Sequence, residues 1–132
     1  MQRIKSPRTD DAAIEQEIKA KWLTAPRVTP ADIEANIADE VYFTALDGYA
    51  GTQRVTDYEY RFGRINNKVL GLLTFCVLVL RNGFTVTGES ACASPENFDA
   101  EVGRKIARAN AVDKIWPLMG YELRTKLAGG EA

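Results

Sequence analysis

The sequence predicts an α+β fold: an antiparallel sheet with a central β-hairpin, packed by a long C-terminal helix and by shorter N-terminal helices. Three observations carry that prediction. Leu70 to Leu80 is apolar apart from Gly71 and Thr74, and eleven residues are too few to cross a bilayer as a helix. Asn82-Gly83 follows, a pair that tolerates the positive φ of a tight hairpin turn, and Phe84-Thr85-Val86-Thr87 then alternates apolar and polar residues. Ser94-Pro95-Glu96 reads as a helix start, with a capping side chain, a proline at the first helical position and an acid at the positive helix end.

In chain order, residues 1 to 10 read as a frayed tail. A helix from Asp10 or Asp11 to about Leu23 would place Ile14, Ile18, Trp22 and Leu23 on one face. Thr24 to Val28 is a linker, which divides the chain into an N-terminal tail and helix, 1–27, and a single α+β domain, 28–132. Thr29-Pro30-Ala31-Asp32 is a second helix start, with Ile33, Ile37 and Val41 as a short apolar stripe. Tyr42 to Ala45 reads as strand and Asp47 to Gly51 as loop. Gln53 to Lys68 is a polar strand or an excursion, with a turn at Ile65-Asn66-Asn67.

A two-residue loop at Asn82-Gly83 would pair Arg81 with Phe84, Val79 with Val86 and Val77 with Gly88. Phe75, Val77, Val79, Phe84 and Val86 would then face the core. Leu78 and Leu80 would point the other way, into a second packing layer, a subunit contact or a ligand surface. On the long helix, Phe98, Val102, Ile106, Ala109 or Val112, and Trp116 give an apolar face. Pro117 ends or kinks it. Gly120 to Ala128 forms one more short helix with Tyr121, Leu123 and Leu127 inward.

At 132 residues, 45% hydrophobic and 27% charged, the chain has the profile of one soluble domain. A net charge of −1 sets up no global field for polymeric nucleic acid or an anionic membrane, so any anion site is local. The first residues lack the apolar run of a signal peptide, and an intracellular protein is expected. Cys76 reads as a small core residue rather than a disulfide partner of Cys92. With 2 Cys and no His, the usual zinc site and the His-dependent nucleophile pairs are missing, and no cofactor motif is present.

The remaining candidate groups each have two readings. Arg104 and Arg108, four apart on a helix, are a solvated face or a pair of forked donors for phosphate. Glu89 is an exposed strand-end carboxylate or an acceptor for a ribose hydroxyl or base amine. Tyr42 and Phe43 are core or a stacking platform, and Phe98 is the other choice of stacking ring. Thr44, Glu89 and Asn97 are the polar partners available for a base and ribose.

The stretches VTPADIEANI, YFTALDG and LLTFCVLVLRNGFTVTGESACASPENFDAEVGRKIARANAVDKIWPLMGYELR resemble the gp-forty-nine family of small phage and prophage proteins, overlapping Thoeris anti-defence protein one. The likeness spans roughly residues 28 to 127, and GESACASPENFDAE is its most specific part. It implies a sponge that binds a cyclised ADP-ribose signal without cleaving it. Such proteins are homodimers, some assembling into homohexamers that also bind cyclic di- or trinucleotides. The implied setting is the cytoplasm of an infected bacterium, with no enzyme activity, cofactor or metal. Gln53 to Lys68 departs from shorter relatives. Within the matching stretches, the ligand-binding residues chosen on chemistry are Phe43, Thr44, Glu89, Asn97, Phe98, Arg104 and Arg108. Two other classes compete: an interaction module that meets a host protein through Leu78 and Leu80, and a hydrolase using Glu89 or Asp99 with bound metal.

Overall fold

A computed structural model describes residues 11–52 and 67–130. The elements are α1 (Asp11–Ala20), α2 (Pro30–Ala35), β1 (Ile37–Thr44), α3 (Ala45–Ala50), α4 (Asn67–Leu70), β2 (Leu73–Leu80), β3 (Thr85–Ala91), α5 (Ala100–Asp113) and α6 (Ile115–Ala128). The strands form a three-stranded antiparallel sheet in the order β1-β2-β3, and α5 lies across β3 and β2. This is the predicted α+β architecture. Among the described residues, no helix is long and apolar enough to cross a membrane. The predicted tail, 1–10, and most of the Gln53 to Lys68 segment lie outside the described residues, and Asn67, read as turn, opens α4.

The hairpin differs from expectation by one residue. Leu80 N–H donates to Phe84 O at 2.8 Å and Gly83 N–H to Leu80 O at 2.9 Å, so the loop has three residues, Arg81-Asn82-Gly83. Gly83 takes the left-handed conformation at φ 89°, closing the loop as a bulge, and Asn82 Oδ1 accepts from Phe84 N–H at 2.9 Å. Val79 therefore pairs with Thr85, Leu78 with Val86 and Cys76 with Gly88. A slip of one residue moves every β2 side chain to the opposite face. Leu78 and Leu80, expected on the face away from the main core, are buried in it. Phe75, Val77 and Val79, expected in the core, lie on the open face, and Phe84 is exposed.

The helix that covers the sheet also starts later than read. Ser94-Pro95 opens only a single 3-10 turn, Pro95–Asn97, and its hydroxyl caps no backbone group. Asp99 is the cap of α5, accepting from Val102 N–H at 3.0 Å. The buried stripe is Gly103, Ala107 and Ala111, continued by Ile115 at the start of α6, whereas Val102 is exposed. Small residues face inward because the helix backbone rests on Gly88. A Cβ there would lie 2.2 Å from Ala107 O and 2.3 Å from Ala111 N. The chain turns at Lys114, before Pro117, which sits harmlessly in the first turn of α6. Met119 reaches the core from α6, while Tyr121, expected inward, is exposed, as is Leu127.

The core comprises Ile33, Cys76, Leu78, Leu80, Val86, Ala107, Ala111 and Ile115. Ile33 comes from α2, whose start is the expected capping box: Thr29 Oγ1 accepts from Asp32 N–H and Asp32 Oδ2 from Thr29 N–H. β1 begins at Ile37, earlier than read. A bulge between Ile37 and Asp39 lets Ile37 pair with Leu80 and pack on the core, although the strand's odd residues otherwise face away from it. Val41 accordingly is exposed, so the stripe Ile33, Ile37, Val41 breaks where helix becomes strand. Asp47 to Gly51, read as loop, is mostly helix α3, started by a second Thr-x-x-Asp box. α1 is held outside this core by a bidentate pair, Arg27 to Glu15 at 2.7 and 2.8 Å. It buries none of its residues, and Ile14, Trp22 and Leu23 are exposed.

Candidate functional site

At one end of the sheet, β1 runs into α3, β2 begins and α5 begins. Tyr42, Phe43, Thr44, Asp47, Thr74, Phe98, Ala100 and Arg104 surround a cavity of about 100 Å³ there. The Thr-x-x-Asp box fixes two of them: Thr44 N–H donates to Asp47 Oδ2 at 2.9 Å and Asp47 N–H to Thr44 Oγ1 at 3.1 Å. Thr44 pairs with Thr74 in the ladder, and alternation points both, with Tyr42, toward α5. Phe98 precedes the Asp99 cap in extended backbone, and Arg104 stands one turn into α5.

Burial gives the cavity a floor and a rim. Thr74 is 3% exposed and makes no side-chain hydrogen bond among the described residues. Arg104 is exposed and has no ion-pair or hydrogen-bond partner among them. Asp47 also stands at the rim, its carboxylate held by the box. The ring of Phe43 is stacked on Phe75, centroids 5.5 Å apart, so it borders the cavity from the opposite sheet face. Phe98 and Tyr42 are the aromatic residues on the helix side.

Arg108, one turn beyond Arg104, does different work. Its Nε donates to Glu40 Oε1 at 2.8 Å, and Nη1 and Nη2 donate to the two Glu34 oxygens at 3.1 and 2.7 Å. Tyr42 O–H donates to the other Glu40 oxygen at 2.9 Å. The guanidinium thereby clamps α2, β1 and α5 together, and its two carboxylates hold it protonated. Arg108 in turn, with help from Tyr42, keeps the Glu40 carboxyl below the ordinary range. Burial, reinforced by Glu40, pushes the Tyr42 phenol up, and burial raises the Cys76 thiol beneath it.

Of the residues predicted from chemistry, Phe43, Thr44, Phe98 and Arg104 converge on this cavity, although they come from separate parts of the chain. Arg108 does not join them, being committed to Glu34 and Glu40. Asn97 is exposed at the end of the 3-10 turn and Glu89 is exposed on the open sheet face, and neither lines the cavity. Thr74 and Asp47 were missed, and Tyr42, weighed as a stacking ring beside Phe43, was not chosen. The two missed residues had a visible signal: Thr74 is the polar residue in an otherwise apolar strand, and Asp47 completes a Thr-x-x-Asp box. Roomier hollows of about 280 and 260 Å³ lie against α1 and at the hairpin tip. No predicted residue lines either, and the Arg27 guanidinium beside the first is already paired with Glu15. Among the described residues, no group of three or more His, Cys, Asp or Glu side chains is placed to hold a metal.

Residues 28–127 match the family described as phage protein (N4 Gp49/phage Sf6 gene 66). The chain belongs to that family. The match takes in every described strand, all of α5, α6 except its last residue, and the whole cavity, and leaves out α1. The core, the Arg108 clamp and the cavity are thus all built from the segment that the phage family shares. No curated protein and no solved structure matches the chain.

Proposed function

We propose that the chain is a phage anti-defence sponge. It binds and sequesters a cyclic ADP-ribose-type immune signal, with cyclic oligonucleotides as further ligands, and does not cleave it. In this reading it acts in the cytoplasm of the infected bacterium, as a homodimer or homohexamer, and blocks Thoeris or a related defence. One observation carries the proposal: Phe43, Thr44, Phe98 and Arg104 meet around one cavity, and the Arg104 guanidinium there has no partner among the described residues. A free fork beside hydroxyls and aromatic rings suits a phosphorylated ring compound. Arg108 would have to leave two carboxylates to reach a phosphate, so the reading rests on Arg104 alone. At about 100 Å³ the cavity takes one moiety of such a signal, since whole ligands of drug size fill roughly 300–1,000 Å³.

The test is capture and release. Protein is incubated with a panel of cyclic ADP-ribose isomers and cyclic di- and trinucleotides, filtered, then heated. The expected result is depletion of a signal from the filtrate and its return chemically unchanged. A linear or hydrolysed product would make the chain an enzyme, and failure to deplete any of the panel would end the sponge reading. A second reading, an interaction module for a host protein, is favoured by the open sheet face. That face carries Val41, Phe43, Phe75, Val77 and Val79, in place of the Leu78 and Leu80 expected there.

A further inference from the structure

The floor of the cavity holds a feature that the fold does not need. Thr74 stands in the inward row of β2 with Cys76, Leu78 and Leu80, and is as buried as they are. Its hydroxyl has no partner among the described residues, whereas Ser90, beside it in the ladder, has one. A buried, unpaired hydroxyl destabilises a fold, and valine has the same shape without that penalty. Thr74 borders a cavity that the described residues leave unfilled.

We propose that Thr74 is a ligand-binding residue whose hydroxyl meets the hydrogen-bonding edge of a nucleobase-like flat ring. The ring sits against Phe98 and Tyr42, and the phosphate stays outside on Arg104. This rests on the nucleotide reading above and says which part of the ligand enters. Charge orders the two ends. Both charged lining residues, Asp47 and Arg104, are exposed at the rim, while the buried, neutral hydroxyl of Thr74 offers one donor and two acceptor sites to a base edge. Arg104, exposed at the rim, is the cation that an excluded phosphate reaches. The cavity volume fits one ring system and not a ring with its sugar and phosphates.

The experiment compares the full chain with Thr74→Val and Thr74→Ser. Melting is measured without ligand, and binding by NMR titration with adenosine, inorganic phosphate and cyclic ADP-ribose. Thr74→Val is expected to raise the ligand-free melting temperature by roughly 3–6 °C. The same change should weaken adenosine binding about tenfold, and Thr74→Ser should keep most of it. Opposite signs on stability and binding are what a merely structural hydroxyl would not produce. The proposal is overturned if Thr74→Val melts lower than the native chain, if it binds adenosine equally well, or if only inorganic phosphate binds. It is also overturned if neither adenosine nor cyclic ADP-ribose binds. Adenosine binding that depends on Thr74, without capture of cyclic ADP-ribose, would support the base site and remove the sponge. Capture that ignores Thr74→Val would do the reverse.

Discussion

The two faces of the sheet are built from one strand with similar material and meet different fates. On β2, Thr74, Cys76, Leu78 and Leu80 face α5 and are buried, while Phe75, Val77 and Val79 face away and are partly exposed. Hydrophobicity along β2 does not choose between these rows. The neighbouring strand does: β3 offers Val86, Gly88 and Ser90 on the helix side and Thr85, Thr87 and Glu89 on the other. Close approach completes the choice, because α5 reaches its packing distance only over a residue without a side chain. A face becomes the core when it can admit a helix, and Gly88 is what lets this one do so.

Substituting at that point should give the largest effect. Gly88→Ala places a Cβ inside the Ala107 and Ala111 backbone, which is not a flexible neighbour, so α5 must lift along its length. A loss on the order of 4 kcal/mol is expected in urea melts, near the top of the range for single substitutions. Thr87→Ala, one residue away on the open face, should stay within about 0.5 kcal/mol. Near-native stability of Gly88→Ala would mean that α5 does not rest where described.

A matched pair on β2 comes next. Leu78 is fully buried, so Leu78→Ala should cost about 3 kcal/mol, the lost transfer energy plus a cavity. Val77→Ala, on the partly exposed row, should cost about 1 kcal/mol or less. The comparison tests the register itself. A two-residue hairpin loop would reverse the order, because a slip of one residue exchanges the rows.

That register marks where the sequence stopped being legible. Strand, turn, strand and helix were all readable from local chemistry. So was the inward side of β3, through Val86. The loop length was not, because Asn-Gly suits a two-residue turn as well as the left-handed end of a three-residue one. The stripe Gly103, Ala107, Ala111 was hidden for a related reason: a search for large apolar residues cannot see a face selected for small size. α3 was readable and overlooked, since Thr44 to Asp47 repeats the Thr29 to Asp32 box that was recognised. In the site, Arg104 and Arg108 look alike in sequence, and only the fold brings Glu34 and Glu40 to the second. Their separation from Arg108 by 74 and 68 residues is why no local pattern revealed the clamp.

The clamp gives a smaller and pH-dependent effect. Arg108→Ala should cost roughly 1 kcal/mol, because the network is partly solvent-exposed and it leaves Glu34 and Glu40 near each other without their cation. The folded protein holds Glu40 below its ordinary value of 4.5, so the stabilisation is present above that pH and is lost as pH falls through the depressed value. Arg108 titrates too high to matter in the working range. Melting from pH 7 to pH 3 should therefore show a steeper acid loss for the native chain than for Arg108→Ala. Parallel curves would mean that Glu40 and Arg108 are not coupled. The same variant should bind the proposed signal as the native chain does, whereas Arg104→Ala should lose affinity.

The smallest effect on the fold is expected on the open face, and for that reason it says most about what the face is for. Val41 is 44% exposed on the edge strand, beside Val77, with Phe43 and Phe75 further along. A lysine at Val41 can extend its charge into water while its stem lies on the strand, so Val41→Lys should change the stability of the isolated fold by no more than about 0.5 kcal/mol. If this face is covered in a homo-oligomer, each substituted copy would bring an ammonium into an apolar contact, where an unpaired charge is strongly unfavourable. The expected outcome is a native-like melt together with slower sedimentation than the native chain at the same concentration. Equal sedimentation of the two as oligomers would place the subunit contact elsewhere on the molecule. Equal sedimentation as monomers would remove assembly from the sponge proposal, and the face would then be open to a host protein.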